Sequence, residues 1–194
     1  MSSLKDRFRS LEVDLRATPM RHHVYHDLPF AIFCYPPDRE WSLRRELRLL
    51  KTRLETDNVR QVILISLADL LWQAVDETEG IEALKALEMS DGFEAAQLQI
   101  QDYVSDPEWR PLPDLLEEQL VTLDPATDLV FIWRAGALAP NIYRVSTLLD
   151  QMKGRTKVPC VLFMPATIEG STLRFMGIAE NEGRGSYHTK VYME

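Results

Sequence analysis

Four short runs constrain this chain more than anything else in it. Residues 29–35 (PFAIFCY), 61–65 (QVILI), 128–133 (DLVFIW) and 158–164 (VPCVLFM) are apolar at nearly every successive position. A strand with one wet face alternates apolar and polar residues, so unbroken runs of this length indicate strands covered on both faces. Strands covered on both faces need helices above and below, and the sequence between the runs supplies them. Leu4, Phe8, Leu11 and Leu15 share one helical stripe, ended where Thr18 precedes Pro19. Leu43, Leu47, Leu50 and Leu54 form a second stripe, with Asp38 as the expected cap. Ser66 and Asp69 have capping-box spacing ahead of a third helix, 67–75. Pro140 is placed to open a later helix carrying Ile142, Val145, Leu149 and Met152, closed by Gly154.

Strand, helix, strand, helices, strand, helix, strand predicts an α/β fold, a mostly parallel sheet with helices on both faces, Rossmann-like or degenerate P-loop-like. Residues 173–178 and 186–192, around Gly183-Arg184-Gly185, predict a C-terminal hairpin at the sheet edge. At 194 residues the expectation is a single α/β domain over 1–194. Between the second and third core strands, residues 76–123 read as a helical insertion. One helix is marked by Ile81, Leu84 and Leu87. A second, capped at Asp91-Gly92, turns Phe93, Ala96, Ile100 and Val104 inward, and a third follows Pro111 and Pro113.

The charge is divided in the same way. Residues 69–119 hold 14 acidic and two basic side chains, Lys85 and Arg110, whereas the rest of the chain holds 16 acids and 20 bases. An acidic section in a mildly basic frame disfavours a uniformly basic nucleic-acid binder. No apolar run approaches the roughly 20 residues of a membrane span, and the N-terminus lacks the apolar segment of a signal peptide. Cys34 and Cys160 lie inside apolar runs, as buried reduced thiols of a cytoplasmic protein do.

Ligands of such sheets bind beyond the carboxyl ends of the strands, here the loops 36–39, 66–69, 134–141 and 165–172. A phosphate loop needs glycines whose N–H groups converge on the anion. The first loop instead reads Pro36-Pro37-Asp38-Arg39-Glu40, with no glycine and two carboxylates. That disfavours Walker-type ATP hydrolysis, leaves open a decayed relative that keeps the layout without the chemistry, and no bound cofactor is expected. Ser66 follows a strand without the glycines of a nucleophile elbow, so helix capping accounts for it. His22, His23, His26 and Asp27 superficially suggest a metal site. Pro19, Val24, Tyr25 and Pro29 predict extended chain there, and His188 stands alone, so both read as solvated. Arg44, Arg45, Arg48 and Lys51 are interrupted by Glu40, Glu46 and Glu55, with only Trp41 interleaved, and read as a solvated helix face.

The most distinctive loop is 134–141. Arg134 ends a buried strand, and Asn141, Tyr143 and Arg144 follow it. These residues are the candidate ligand or partner site, holding a phosphate or an acidic side chain. The competing reading pairs Arg134 with a carboxylate such as Asp69 on the neighbouring loop, and buried polar groups usually satisfy one another in this way.

Several blocks in register resemble the BrxB family, a small component of bacteriophage-exclusion (BREX) systems. They are residues 4–8 (LKDRF), 25–33 (YHDLPFAIF), 67–72 (LADLLW), 134–144 (RAGALAPNIYR), 161–165 (VLFMP) and 173–177 (LRFMG). The resemblance brings no catalytic motif. It implies a cytoplasmic, non-enzymatic adaptor in a phage-defence complex, with a PglZ-type protein as the expected partner. A PglX-type methyltransferase and a BrxC-type ATPase are further candidates, and DNA would be met only indirectly or weakly. The alternative is a degenerate nucleotide- or nucleic-acid-binding module without hydrolytic activity.

Overall fold

The computed structural model of the chain describes residues 3–21, 28–169, 172–178 and 189–193. Along the chain run α1 (Leu4–Arg16), β1 (Phe30–Tyr35), α2 (Glu40–Thr56), β2 (Gln61–Ser66) and α3 (Leu67–Asp76). Then come α4 (Gly80–Asp91), α5 (Phe93–Ser105), α6 (Leu112–Leu120), β3 (Asp128–Trp133) and α7 (Val145–Gln151). The chain ends with β4 (Cys160–Glu169), β5 (Thr172–Phe175) and β6 (Lys190–Tyr192).

The sheet order is β2-β3-β4-β1-β6, all parallel, with β5 antiparallel to the far end of β4. From β1 the chain crosses to the β2 edge and then returns through β3 and β4. Strand–helix–strand crossovers are right-handed, so opposite directions of travel place the connecting helices on opposite faces. The packing follows that rule. Ala31, Phe33 and Tyr35 of β1 face α1 and α2, where Phe8, Leu11, Leu15, Leu43, Leu47, Leu50 and Leu54 are buried. Phe30, Ile32 and Cys34 face the other layer, built from α3, α6 and α7 with Val104 of α5. All six residues of β1 are therefore buried, which is why its sequence shows no alternation. On the α1–α2 face the rings of Phe8 and Phe33 lie 4.6 Å apart, Phe33 and Phe163 5.4 Å, and Phe163 and Phe131 5.3 Å.

Polar contacts fasten the layer edges. Glu12 of α1 accepts from Arg53 of α2 at 2.7 Å and from Arg16 at 2.8 Å. Asp14 accepts from Lys190 at 2.5 Å and from Tyr192 Oη at 2.6 Å, holding β6 to α1. At the β2 edge, Glu55 accepts the Val62 N–H at 3.1 Å and Lys51 donates to the Val62 carbonyl. Side chains thus close a strand edge that would otherwise offer free backbone groups.

Several expectations need correction. The C-terminal hairpin pairs β4 with β5, not β5 with β6. Residues 166–169 extend β4 past the parallel sheet and meet Thr172–Phe175, whereas β6 lies parallel to β1. The Gly183–Gly185 turn is outside the described residues. Asp38 caps nothing: residues 37–39 form a single 3-10 turn and α2 starts without a side-chain cap. Pro140 does not open α7, which begins at Val145 after a cis Ala139–Pro140 peptide. Phe93 is 65% exposed, because Gly92 at φ 90° swings α5 so that this first residue stands outside the α4–α5 contact. Among the described residues, no helix is long and apolar enough to cross a membrane.

Candidate functional site

Tyr35, Ser66, Trp133 and Pro165 all stand toward the carboxyl rim of the sheet, paired in register as Tyr35 with Pro165 and Ser66 with Trp133. After Trp133 the chain turns abruptly. Arg134 takes the left-handed conformation, φ 57°, and residues 135–138 coil into a 3-10 turn. Ala135 and Leu138 are buried there. A Cβ on Gly136 would lie 3.4 Å from Met176 Sδ and 3.7 Å from Pro165 Cγ, so the small residue lets the turn pack under the β4–β5 hairpin.

The left-handed turn carries the Arg134 side chain back to α3. Its Nη1 donates to Asp69 Oδ1 at 2.8 Å and lies 3.4 Å from Ser66 Oγ. Ser66 Oγ also accepts the Asp69 N–H at 3.2 Å, so it caps α3 as expected. Only half of the capping box forms, because the Asp69 carboxylate turns to Arg134. The Arg134 and Asp69 side chains are 37% and 70% exposed. This is the structural pairing, at the edge of solvent.

The other candidates do not join that pair. Asn141 and Arg144 are exposed, and Arg144 makes no ion pair among the described residues. Tyr143 is buried, its hydroxyl donating to Gln151 Oε1, and burial pushes it up to about 12. At neutral pH it stays a phenol. The chain brings Asp69 and Arg134 together and leaves the remaining three as part of the packing and surface of the α7 approach.

A second arrangement at the same rim escaped the sequence reading. The Arg44 guanidinium lies over Trp41 at 4.8 Å and over Trp133 at 5.2 Å, and Arg134 lies over the Trp133 ring at 5.9 Å. Indole and guanidinium therefore alternate from α2 to the 134 turn. Glu40 fixes the register, accepting from Arg44 Nε at 2.8 Å and from the Tyr35 hydroxyl. Burial and the Glu40 carboxylate raise the Tyr35 pKa well above the phenolic range. The i, i+3 spacing of Trp41 and Arg44 is visible in the sequence. Trp133, the last residue of a buried run, gives no such signal.

The thiols stand apart from the rim chemistry. Both cysteines are free and buried, and burial pushes Cys34 up to about 12 and Cys160 higher. Among the described residues no group of three or more His, Cys, Asp or Glu side chains is placed to hold a metal. The four histidines, with Asp27, lie outside the described residues.

The charge is segregated across the sheet. The α1–α2 layer carries nine basic and six acidic residues, whereas residues 67–120 carry 14 acidic and two basic ones. At the base of the insertion the carboxylates are tied down. Arg110 binds Glu77 at 2.5 Å and Glu118 at 2.9 Å, and Arg155 binds Asp114 at 2.5 Å and Glu117 at 3.0 Å. Toward the α4–α5 connection, Glu88, Asp91 and Glu94 have no ion-pair partner among the described residues. Met89, Phe93 and Leu98 stand beside them, 89%, 65% and 59% exposed.

A family model described as BREX protein BrxB matches residues 63–190. A protein named BREX protein BrxB, from Bacillus cereus strain H3081.97, is 23% identical over 158 residues, covering 78% of each chain. No solved structure matches the chain significantly. The matched span takes in β3, the 134–144 turn and the β4–β5 hairpin, and on it the chain belongs to the BrxB family of BREX components.

Proposed function

We propose that this chain is a non-enzymatic adaptor of a BREX phage-defence complex, docking a partner subunit through the α4–α5 hairpin, with a PglZ-type protein as the expected partner. The observation that carries the reading is the end of that hairpin, where exposed Met89 and Phe93 sit beside Glu88, Asp91 and Glu94, carboxylates with no ion-pair partner among the described residues. Exposed apolar side chains in a charged surround are characteristic of interaction sites. Their charge calls for a partner with an apolar groove rimmed by lysine or arginine. Arg110 and Arg155, by contrast, spend their charge inside the molecule and brace the insertion. The non-enzymatic part of the proposal draws support from Ser66, whose hydroxyl is engaged as a helix cap, and from two thiols held protonated by burial.

The test is co-purification of the tagged chain from cells expressing the complete gene set. The wild type brings down a PglZ-type subunit, and the double variant Met89→Ser, Phe93→Ser does not. Burying an apolar side chain of this size contributes about 1.5–3 kcal/mol, so losing both weakens binding by about a hundredfold or more. Because both side chains already face solvent, the melting temperature stays within about 2 °C of wild type. Recovery of the wild-type chain alone would refute the adaptor reading.

A further inference from the structure

The geometry points to a binding site for single-stranded nucleic acid on the rim above α2, with Trp41 as the base-stacking platform and Arg45 and Arg48 as phosphate contacts. It lies on the opposite side of the sheet from the acidic hairpin and does not depend on the docking proposal.

Trp41 is 77% exposed, which is unusual for the largest apolar side chain, and its orientation is set from within the protein. Arg44 lies over its ring at 4.8 Å, and Arg44 is itself fixed by Glu40 at 2.8 Å and by Trp133 behind it at 5.2 Å. The platform is therefore built before any ligand arrives, so little side-chain freedom is lost on binding. Spacing along α2 places Trp41, Arg44, Arg45 and Arg48 on one side of the helix. Arg45 is 71% exposed, and its one ion-pair partner among the described residues is Glu46, at 3.5 Å. Arg48 is exposed and has no ion pair among the described residues. Arg44 and Arg134 already have carboxylate partners, so they set the geometry, and Arg45 and Arg48 remain for the ligand.

A flat aromatic surface beside unspent guanidiniums suits a ligand that alternates planar rings with phosphates. Sequence-tolerant single-strand binders combine these two elements, with base stacking supplemented by arginine. Duplex DNA keeps its bases stacked on one another and offers Trp41 nothing to stack on. An acidic peptide would engage the arginines and leave the indole unused. The segregation of charge lets a chain of net charge −8 do this, because the acidic residues are concentrated in the helices on the far face.

The experiment measures binding of a fluorescent dT12 strand to the full chain at low salt, beside an abasic dodecamer with the same phosphates and no bases. The wild type binds dT12 about tenfold more tightly than the abasic strand. Trp41→Ala brings dT12 down to the abasic level and leaves abasic binding unchanged. Arg48→Glu weakens both strands, and Trp72→Ala, removing another exposed indole on α3, changes neither. Circular dichroism confirms that the variants are folded. Absence of dT12 binding, equal binding of the two strands, or an equal loss in Trp41→Ala and Trp72→Ala would each overturn the proposal. An acidic protein partner captured through Arg45 and Arg48 with Trp41→Ala fully competent would overturn it as well.

Discussion

Arg134 offers a stability measurement that separates backbone from side chain. It sits at φ 57°, ψ 33°, a conformation that costs a residue with a Cβ about 1–2 kcal/mol and costs glycine almost nothing. Its side chain compensates in part. The Asp69 pair at 2.8 Å is 37% and 70% exposed, so it contributes at most about 1 kcal/mol after screening. The 5.9 Å approach to Trp133 adds about 0.5 kcal/mol. Arg134→Ala loses these contacts and keeps the strain, a loss of about 1–1.5 kcal/mol. Arg134→Gly loses the same contacts and releases the strain, which leaves stability within about 0.5 kcal/mol of wild type. In urea, with a slope of about 2.5 kcal/mol/M, the two variants are separated by about 0.4–0.8 M in midpoint, glycine above alanine. Equal midpoints would show that the turn is not left-handed. A glycine variant weaker by more than about 2 kcal/mol would show that the guanidinium supports the core.

Three further outcomes follow from the packing. Phe33→Ala, deleting a fully buried ring that meets Phe8 and Phe163, costs about 3–5 kcal/mol in denaturant unfolding, and a cost below about 1 kcal/mol would contradict the two-layer core. Burial opposes charge on Asp14, yet the Lys190 ammonium and the Tyr192 hydroxyl hold its carboxyl below the ordinary value of 3.8. Its contribution is therefore full above about pH 4 and lost as pH falls through the lowered native value, so Asp14→Asn is destabilising by about 2 kcal/mol at pH 7. Unfolding curves taken from pH 7 to pH 2 show that gap closing in acid, and a constant gap would refute the linkage. Finally, Cys34, pushed up to about 12, and Cys160, pushed higher, leave negligible thiolate at pH 8, so Ellman's reagent labels neither until the protein unfolds, whereas stoichiometric native labelling would contradict their burial.

What could be read from the sequence was whatever depends on neighbours along the chain. The runs beginning at Phe30, Gln61, Asp128 and Cys160 all became strands, and continuous apolarity marks two covered faces in β1 and β3, whereas the edge strand β2 is not buried on both faces, its Leu64 being 37% exposed. The four stripe leucines of α2, Leu43, Leu47, Leu50 and Leu54, are all buried, as their spacing requires, and Leu49, off the stripe, is exposed. Contacts between distant segments were harder. Residues 173–175 can pair with β4 or with a later strand on local grounds, and the β4 extension decides it. Trp133 reads as one more apolar residue until the sheet brings Arg44 over its ring, 89 positions earlier in the chain. The pairing of Arg134 with Asp69 was legible because both end adjacent strand–loop units. The diversion of Asp69 from its capping box was not, since sequence spacing cannot show which of two partners a carboxylate takes. Phe93 fits a helical stripe by spacing, and it is exposed because the stripe begins before the neighbouring helix covers it.

The sheet thus carries two unlike outer layers. The acidic helices project apolar side chains among unspent carboxylates, and the opposite rim orders indoles with guanidiniums. Amide hydrogen exchange of the purified chain, alone and saturated with a PglZ-type subunit, tests the docking claim most directly. New protection is expected only in peptides spanning 86–100, with the core strands unchanged. Protection elsewhere, with that hairpin exchanging as fast in the complex as in the free chain, would contradict it.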